Sequence, residues 1–328
     1  MQYKRHKLLI LMLNGVFDSV FHLQRDISAM ADAIYQTWRD DSSPIEGLDL
    51  MTASLDGKPV TTAAGYVIQP DTFLSPLMGD TVIIPGFFAD TQADIEKNIT
   101  APGIQPLYSW LRHYHQSGHR IATACTGTWL LGESRLLDHR QATTNWYFAD
   151  AFSKRYPNVI LRHREMVTVD SNIYCAGSAM ANIDLVLRLL SDLLGDETIH
   201  QLSARLLLDQ RKMQSHYMVT QPVREMSEDF VRINRWVRHH LNKPFRIKDL
   251  AAGVALSTRT LARRIHEATG KNPVHFIQRL RTEKAILLLK TTDLSFDEIV
   301  AQLGYGDAAS LRRIIRQQTG RKPSYFRR

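Results

Sequence analysis

Cysteine is nearly missing from this chain: two occur among 328 residues, Cys125 and Cys175. That excludes a disulfide framework and fits a reduced, cytoplasmic compartment. Long apolar runs are missing as well. The first, 8–13, spans six residues behind Lys4, Arg5 and Lys7, shorter than a working signal-peptide h-region and far short of the roughly 20 residues of a membrane span. A first β-strand is the better reading, and a soluble protein with no membrane partner is expected. No glycine-rich loop of the phosphate-cradling kind occurs. His139, His163 and His200 stand without other ligand types at metal-binding spacing. Neither a metal nor any other cofactor is expected.

Charge is present but unevenly shared. Residues 1–227 carry 20 Lys and Arg against 24 Asp and Glu, whereas residues 228–328 carry 21 against 9. A slightly acidic body joined to a strongly basic domain has the electrostatic footprint of a nucleic-acid or anionic-membrane partner.

Short apolar runs alternate with helical periodicity up to about residue 195. Strands are expected at 8–13, 48–53, 81–84, 120–124 and 173–176, and helices around 22–38, 105–117, 127–137, 146–155 and 181–194. Alternation of this kind predicts an α/β fold with a mainly parallel sheet covered on both faces. Residues 196–227 are polar and mixed, with Gln201, Gln210, Gln214, Gln221 and Pro222, and read as a connector. From Ser227, the expected N-cap of the next helix, the pattern is all-helical, with Phe230, Ile233, Val237 and Leu241 on the first buried face.

The strongest signal is internal. Thr269-Gly270-Lys271-Asn272-Pro273-Val274-His275-Phe276 returns fifty residues later as Thr319-Gly320-Arg321-Lys322-Pro323-Ser324-Tyr325-Phe326. Leu261 and Ile265 match Leu311 and Ile315 at that offset, while Ile247, Leu250 and Val254 match Phe296, Ile299 and Leu303 at forty-nine. One extra residue in the second turn explains the slip, and a duplicated supersecondary unit explains the whole. Each copy has helix-turn-helix grammar. Helices 247–254 and 296–303 lead through the turns Ala255-Leu256 and Gly304-Tyr305-Gly306 to caps at Ser257 and Asp307. Between the copies Asn272-Pro273 starts a long helix carrying Phe276, Leu280, Leu287 and Leu288. With Leu261, Ile265 and Ala268 inside one second helix and Leu311, Ile314 and Ile315 inside the other, Arg259, Thr260, Arg263 and Arg264, and then Arg312, Arg313 and Arg316, are left for DNA. Arginine offers guanine a bidentate fork and also pairs with phosphate.

These residues, with Leu280-Arg281, Leu303-Gly304-Tyr305 and the terminal Gly320, Pro323, Phe326 and Arg327, resemble the AraC/XylS family DNA-binding domain over roughly 230–328. The resemblance implies two recognition helices entering successive major grooves of double-stranded DNA. Leu311 and Ile315 depart from it, standing where aromatics are more usual.

Upstream, Arg120–Ala124 followed by Cys125-Thr126-Gly127 reads as a strand, a sharp turn and a helix. A helix N-terminus favours a thiolate. Catalysis would further need a base and an oxyanion hole, for which Pro85-Gly86-Phe87 could supply amides. Cys175, in an apolar strand, reads as core packing. The Ile84-Pro85-Gly86 turn, the Cys125 elbow, Ala142-Thr143-Thr144-Asn145-Trp146, and Ala176-Gly177-Ser178 leading to Asp184 resemble the ThiJ/PfpI-like branch of the class I glutamine amidotransferase superfamily, a flavodoxin-like fold, over about 7–195. In enzymes of that superfamily the residue after the paired threonines is commonly histidine. Here it is Asn145, which takes no proton at neutral pH. The nearest early acid is Asp18.

Together the halves resemble the GlxA-type regulators: a sensor at 1–195, a connector at 196–227 and a double helix-turn-helix domain at 228–328. The resemblance implies a transcription activator that answers a small polar, nitrogen-containing metabolite, contacts RNA polymerase and forms a homo-oligomer through its N-terminal domain. Cys125, Thr126, Gly86, Phe87, Asn145 and Asp18 are the expected ligand-binding residues, and none is assigned a catalytic role. The competing reading is a cysteine-dependent hydrolase or amidase with a DNA-binding appendage. An RNA-binding protein is disfavoured, since the basic domain has no aromatic stacking platform.

Overall fold

The computed structural model describes residues 4–39, 43–209, 211, 213–214, 227–319 and 321–327. The chain divides into two compact units, Met1–Met218 and Val219–Arg328. The first contains, in order, β1 (His6–Leu11), α1 (Asp18–Trp38), β2 (Leu48–Ser54), β3 (Val60–Thr61), β4 (Val67–Ile68), β5 (Thr72–Phe73), β6 (Thr81–Ile84), α2 (Gln92–Thr100) and α3 (Gln105–Gln116). It continues with β7 (Arg120–Ala124), α4 (Gly127–Glu133), β8 (Gln141–Ala142), α5 (Ala149–Arg155), β9 (Ile160–Leu161), β10 (Val167–Asp170), β11 (Ile173–Ala176), α6 (Asn182–Leu194) and α7 (Asp196–Leu206).

Seven strands form one sheet in the order β10-β11-β7-β6-β1-β2-β5. Every neighbouring pair is parallel except β10 with β11. The five expected strands are its middle; the edges β5 and β10 carried no pattern long enough to read. Successive residues of β1 feed opposite cores, as side chains of a strand must. Leu9 and Leu11 pack with Val82, Ile84 and Ile121 under α3 and α4, while Leu8 packs with Ile83, Ala122 and Ala124 under α1, α6 and α7. Two-sided burial is why this strand is a continuous apolar run rather than an alternating one.

The connector expected from residue 196 does not begin there. Residues 196–206 form α7, and its Ile199 and Leu202 are buried in the second of those cores. Asp196, Glu197, His200 and Arg205 face solvent, which made an amphipathic helix look like a linker. Arg211 and Gln214, also within the first unit, bond to Asp184 and Thr144; Gln210, Gln221 and Pro222 lie outside the described residues.

The second unit contains α8 (Glu228–His240), α9 (Ile247–Gly253), α10 (Thr258–Thr269), α11 (Pro273–Thr291), α12 (Phe296–Gln302) and α13 (Ala308–Thr319). Ser227, Ser257 and Asn272 accept backbone N–H bonds at the starts of α8, α10 and α11, and Asp307 accepts from Ser310 N–H at 2.7 Å. Among the described residues there are two small cores. Phe276, Ile277 and Leu280 of α11 join α8, α9 and α10 in one, while Ala285 and Leu289 join α12 and α13 in the other. Leu287 is half-exposed, and Leu289 takes the buried place. The 19 residues of α11, about 28 Å at 1.5 Å each, are common to both. Each turn needs a left-handed residue: Ala255 (φ 54°) in the first and Gly304 (φ 65°) in the second.

Candidate functional site

Cys125 stands where β7 ends, with φ 59°, a left-handed conformation that a non-glycine residue adopts only at a cost. The surroundings hold it there. Its N–H donates to Ala176 O at 2.9 Å, and its carbonyl accepts from Thr144 Oγ1 at 2.8 Å. Gly86 is pressed against it, so that a Cβ at Gly86 would lie 2.9 Å from Cys125 Cβ and 3.0 Å from Ala124 O. The next residue ties the two loops together. Thr126 Oγ1 accepts from Phe87 N–H at 2.8 Å and donates to Phe87 O at 2.6 Å.

The elbow thus matches the sequence reading in shape and departs from it in chemistry. Cys125 is 2% exposed, and burial pushes its thiol up, against the smaller opposing effects of the Thr126 N–H, the Tyr147 and Thr126 hydroxyls and the Ala179 N–H. The helix N-terminus was expected to favour the thiolate. Desolvation outweighs it, because α4 is only seven residues long and the elbow is enclosed. The Phe87 amide, a candidate oxyanion donor, is already spent on Thr126. Cys175 is core packing as expected, fully buried with its thiol pushed up to about 12 by burial.

Asn145 is fully buried in the same place. Its Oδ1 accepts from Thr144 Oγ1 at 3.0 Å, and its Nδ2 has no partner in hydrogen-bond geometry. Five of the six expected residues, Cys125, Thr126, Gly86, Phe87 and Asn145, are therefore assembled around one elbow. Asp18 is not joined to them by a hydrogen bond of its own: its carboxylate accepts from Ala64 N–H at 3.3 Å. Asp184 is turned elsewhere too, pairing with the Arg211 guanidinium and accepting Arg211 N–H at 2.9 Å.

Sequence reasoning missed Tyr147, whose hydroxyl lies against both the Cys125 thiol and the Asn145 carboxamide. It sits among Trp146 and Phe148, where an apolar triplet masked it. Also missed were Gln24 and Ser28 of α1 and Asn182 of α6. Gln24 Nε2 donates to Asn182 Oδ1 at 2.7 Å, while Gln24 Oε1, Ser28 Oγ and Asn182 Nδ2 are buried without partners. No spacing rule would have paired side chains 158 residues apart.

In the second unit the expected DNA-binding residues separate into groups. Arg259 and Arg263 are exposed on α10, and Arg312, Arg313 and Arg316 on α13. Arg312 lies over the Phe296 ring at 4.9 Å, and the three α13 arginines join Lys322 and Arg327 around a groove of about 820 Å³. Thr260 and Arg264 are bonded within the unit. Thr260 is part of the N-cap, its N–H donating to Ser257 Oγ at 3.1 Å and its hydroxyl 2.9 Å from the same oxygen. Arg264 bonds Asp229 of α8 at 3.0 Å and Glu267 at 3.2 Å, bracing α10 against α8. His266, one turn beyond Arg263, is exposed on α10 and was not among the expected residues.

Comparison with known proteins agrees with both halves. Residues 26–192 match the DJ-1/PfpI family, and residues 250–328 match a helix-turn-helix domain. The chain is 28% identical over 278 residues to the HTH-type transcriptional regulator CdhR of Pseudomonas aeruginosa, covering 84% of this chain and 80% of that one. It is 23% identical to the HTH-type transcriptional regulator GlxA of Rhizobium meliloti, over 67% of this chain and 69% of that one. The isonitrile hydratase of Pseudomonas putida is 26% identical over 149 residues, 43% of this chain and 57% of the enzyme. The crystal structure of an AraC family transcriptional regulator from Pseudomonas putida superposes with a TM-score of 0.50 at 20% identity, over 61% of this chain and 99% of that one. Among the described residues no helix is long and apolar enough to cross a membrane.

Proposed function

Since the chain belongs to the DJ-1/PfpI family and carries an AraC-type helix-turn-helix domain, we propose that its regulation of transcription through DNA answers a small polar, nitrogen-containing effector held beside Cys125. The observation that carries this is the company the thiol keeps. It faces the Thr126 and Ala179 amides and the Thr126 and Tyr147 hydroxyls, all hydrogen-bonding groups and none a base at neutral pH. Such a lining suits recognition and not proton abstraction. On this reading the protein is a cytoplasmic activator that contacts RNA polymerase and assembles through its N-terminal unit. Its sensor begins near residue 1, its reading domain spans 228–328, and Arg259, Arg263, Arg312, Arg313 and Arg316 carry the DNA contacts.

A cysteine-dependent hydrolase or amidase is the second reading, favoured by the strained elbow at Cys125 and by the isonitrile hydratase among the relatives. One experiment separates them. Full-length protein is screened by thermal shift against small amines and amides, since a ligand of the folded state raises its apparent stability. Each hit is then tested for its effect on promoter affinity and for turnover. The sensor reading expects a hit that alters DNA affinity in the wild type and fails to do so in Cys125→Ala. Steady turnover of amide, ester or nitrile substrates that vanishes in Cys125→Ala would overturn it.

A further inference from the structure

The described residues that follow α7 fold back across the first unit as a short strap. Met213 bridges antiparallel to Glu165, and Gln214 N–H donates to Arg164 O at 3.0 Å. The Gln214 side chain then enters the protein and is 2% exposed. Its Nε2 meets three oxygens: Thr143 Oγ1 at 3.0 Å, Thr144 O at 3.0 Å and His163 O at 2.8 Å. Gly177 makes room for it, since a Cβ there would come within 2.3 Å of both ends of the carboxamide. The socket shares a wall with the elbow, because Thr144 also bonds the Cys125 carbonyl.

Glutamine fits this socket incompletely. A carboxamide nitrogen has two hydrogens to offer, and three acceptors surround it. Its Oε1 is buried with no partner, a loss that a carboxamide suffers and an ammonium group would not. An alkylammonium has three donors and no acceptor, which is what the three oxygens lack. Gln214 also lies thirteen residues before Ser227, the N-cap of α8, so the strap is continuous in sequence with the DNA-binding unit.

We propose that the socket filled by Gln214 is an ammonium subsite for the effector, and that Gln214 is an internal occupant which the effector displaces. The inference rests on the sensor reading above and names the chemical group that the site takes. Displacement frees the strap at Gln214 and passes occupancy along the chain to the reading domain.

The test uses full-length protein, wild type and Gln214→Ala, with methylammonium, acetamide and tetramethylammonium chlorides or solutions as probes. The emptied socket should bind methylammonium best and acetamide less. Wild type should need about tenfold more methylammonium for the same rise in Tm, because Gln214 competes by mass action. Tetramethylammonium, which has no donor, should leave both unchanged and controls for ionic strength. DNA affinity of Gln214→Ala without any probe should differ from wild type by at least about threefold. Equal methylammonium responses in the two proteins, or none in either, overturn the subsite. Methylammonium selectivity without any change in DNA affinity leaves the subsite standing and overturns displacement as the signal, which counts against the sensor reading instead. If Gln214→Ala does not fold, Gln214→Glu keeps the shape and removes the donors. Hydrogen exchange at Met213 and at position 214 should then quicken, and exchange as slow as wild type overturns the proposal.

Discussion

At an offset of fifty, the second helix of the first reading unit and that of the second set Arg259 against Ala309, Ala262 against Arg312, Arg263 against Arg313, Arg264 against Ile314 and His266 against Arg316. The apolar pair Leu261 and Ile265 is kept as Leu311 and Ile315, and all four are fully buried. The frame is duplicated while the surface is not. In α10 one arginine is withdrawn to brace α8 through Asp229, and Glu267 stands beside both Arg263 and Arg264. In α13 the bracing position is the buried Ile314 and no acid occurs, so three arginines share the surface with Lys322 and Arg327 around one groove. Duplicated sequence therefore fixes where a side chain sits relative to its helix. What the side chain does depends on the neighbour it meets, and only α10 has Asp229 beside it.

The largest expected effect tests whether the two frames are separate. Leu261→Ala and Leu311→Ala each empty a fully buried position in a different core and should each cost about 2–5 kcal/mol. Calorimetry should show each substitution lowering the transition of its own half, with α11 common to both. If either substitution lowers both halves equally, the second unit has a single cooperative core.

The surface contrast makes a smaller and more selective prediction. Arg263→Ala should cost about 1–3 kcal/mol at the specific site and less on random DNA. Arg264→Ala should leave the ratio of specific to random binding as it is and lower the melting temperature only slightly, since its pair with Asp229 is screened by solvent. Fluorescence anisotropy on both DNAs, with thermal melts, checks the two variants together. Loss of sequence preference in Arg264→Ala would return that residue to the reading face.

The smallest effect is with pH. The Arg232 and Arg264 guanidinium groups hold Asp229 below its usual value, as the Ser310 N–H and hydroxyl do for Asp307 and the Ser295 hydroxyl and N–H do for Glu298. A carboxyl depressed by folding adds stability above its unfolded pKa and loses it as pH falls through the folded one. The second unit should thus be stable to about pH 4 and weaken below it. Asp229→Asn should flatten that acid limb for the first reading unit, whereas an unchanged limb would show that the brace contributes nothing measurable.

The halves of the protein were legible to different depths. In the second unit the fold and the exposure of most of the arginines proposed to contact DNA could be read, because residues left over once the apolar stripe is assigned must face outward, and caps such as Ser257 and Asp307 act on residues three positions away. The intramolecular bonds of Arg264 and Thr260 were not legible, because one partner lies on α8 and the other is the cap of the same helix. In the first unit the five central strands and the Cys125 elbow were legible, but the chemistry of the elbow was not. Amino-acid order alone determined that a parallel sheet precedes a duplicated helix-turn-helix, that basic charge gathers in the second part, and that a small-residue turn carries Cys125 with Asn145 where a base would stand. Only the tertiary structure decided that the thiol is buried and raised, that Tyr147 faces it, that Phe87 is spent on Thr126, and that Gln214 fills a socket 70 residues from Thr144. Periodicity reports which side of an element is apolar, a local property. Desolvation and hydrogen bonding inside a core depend on which distant atoms close over a group, and no local pattern encodes them.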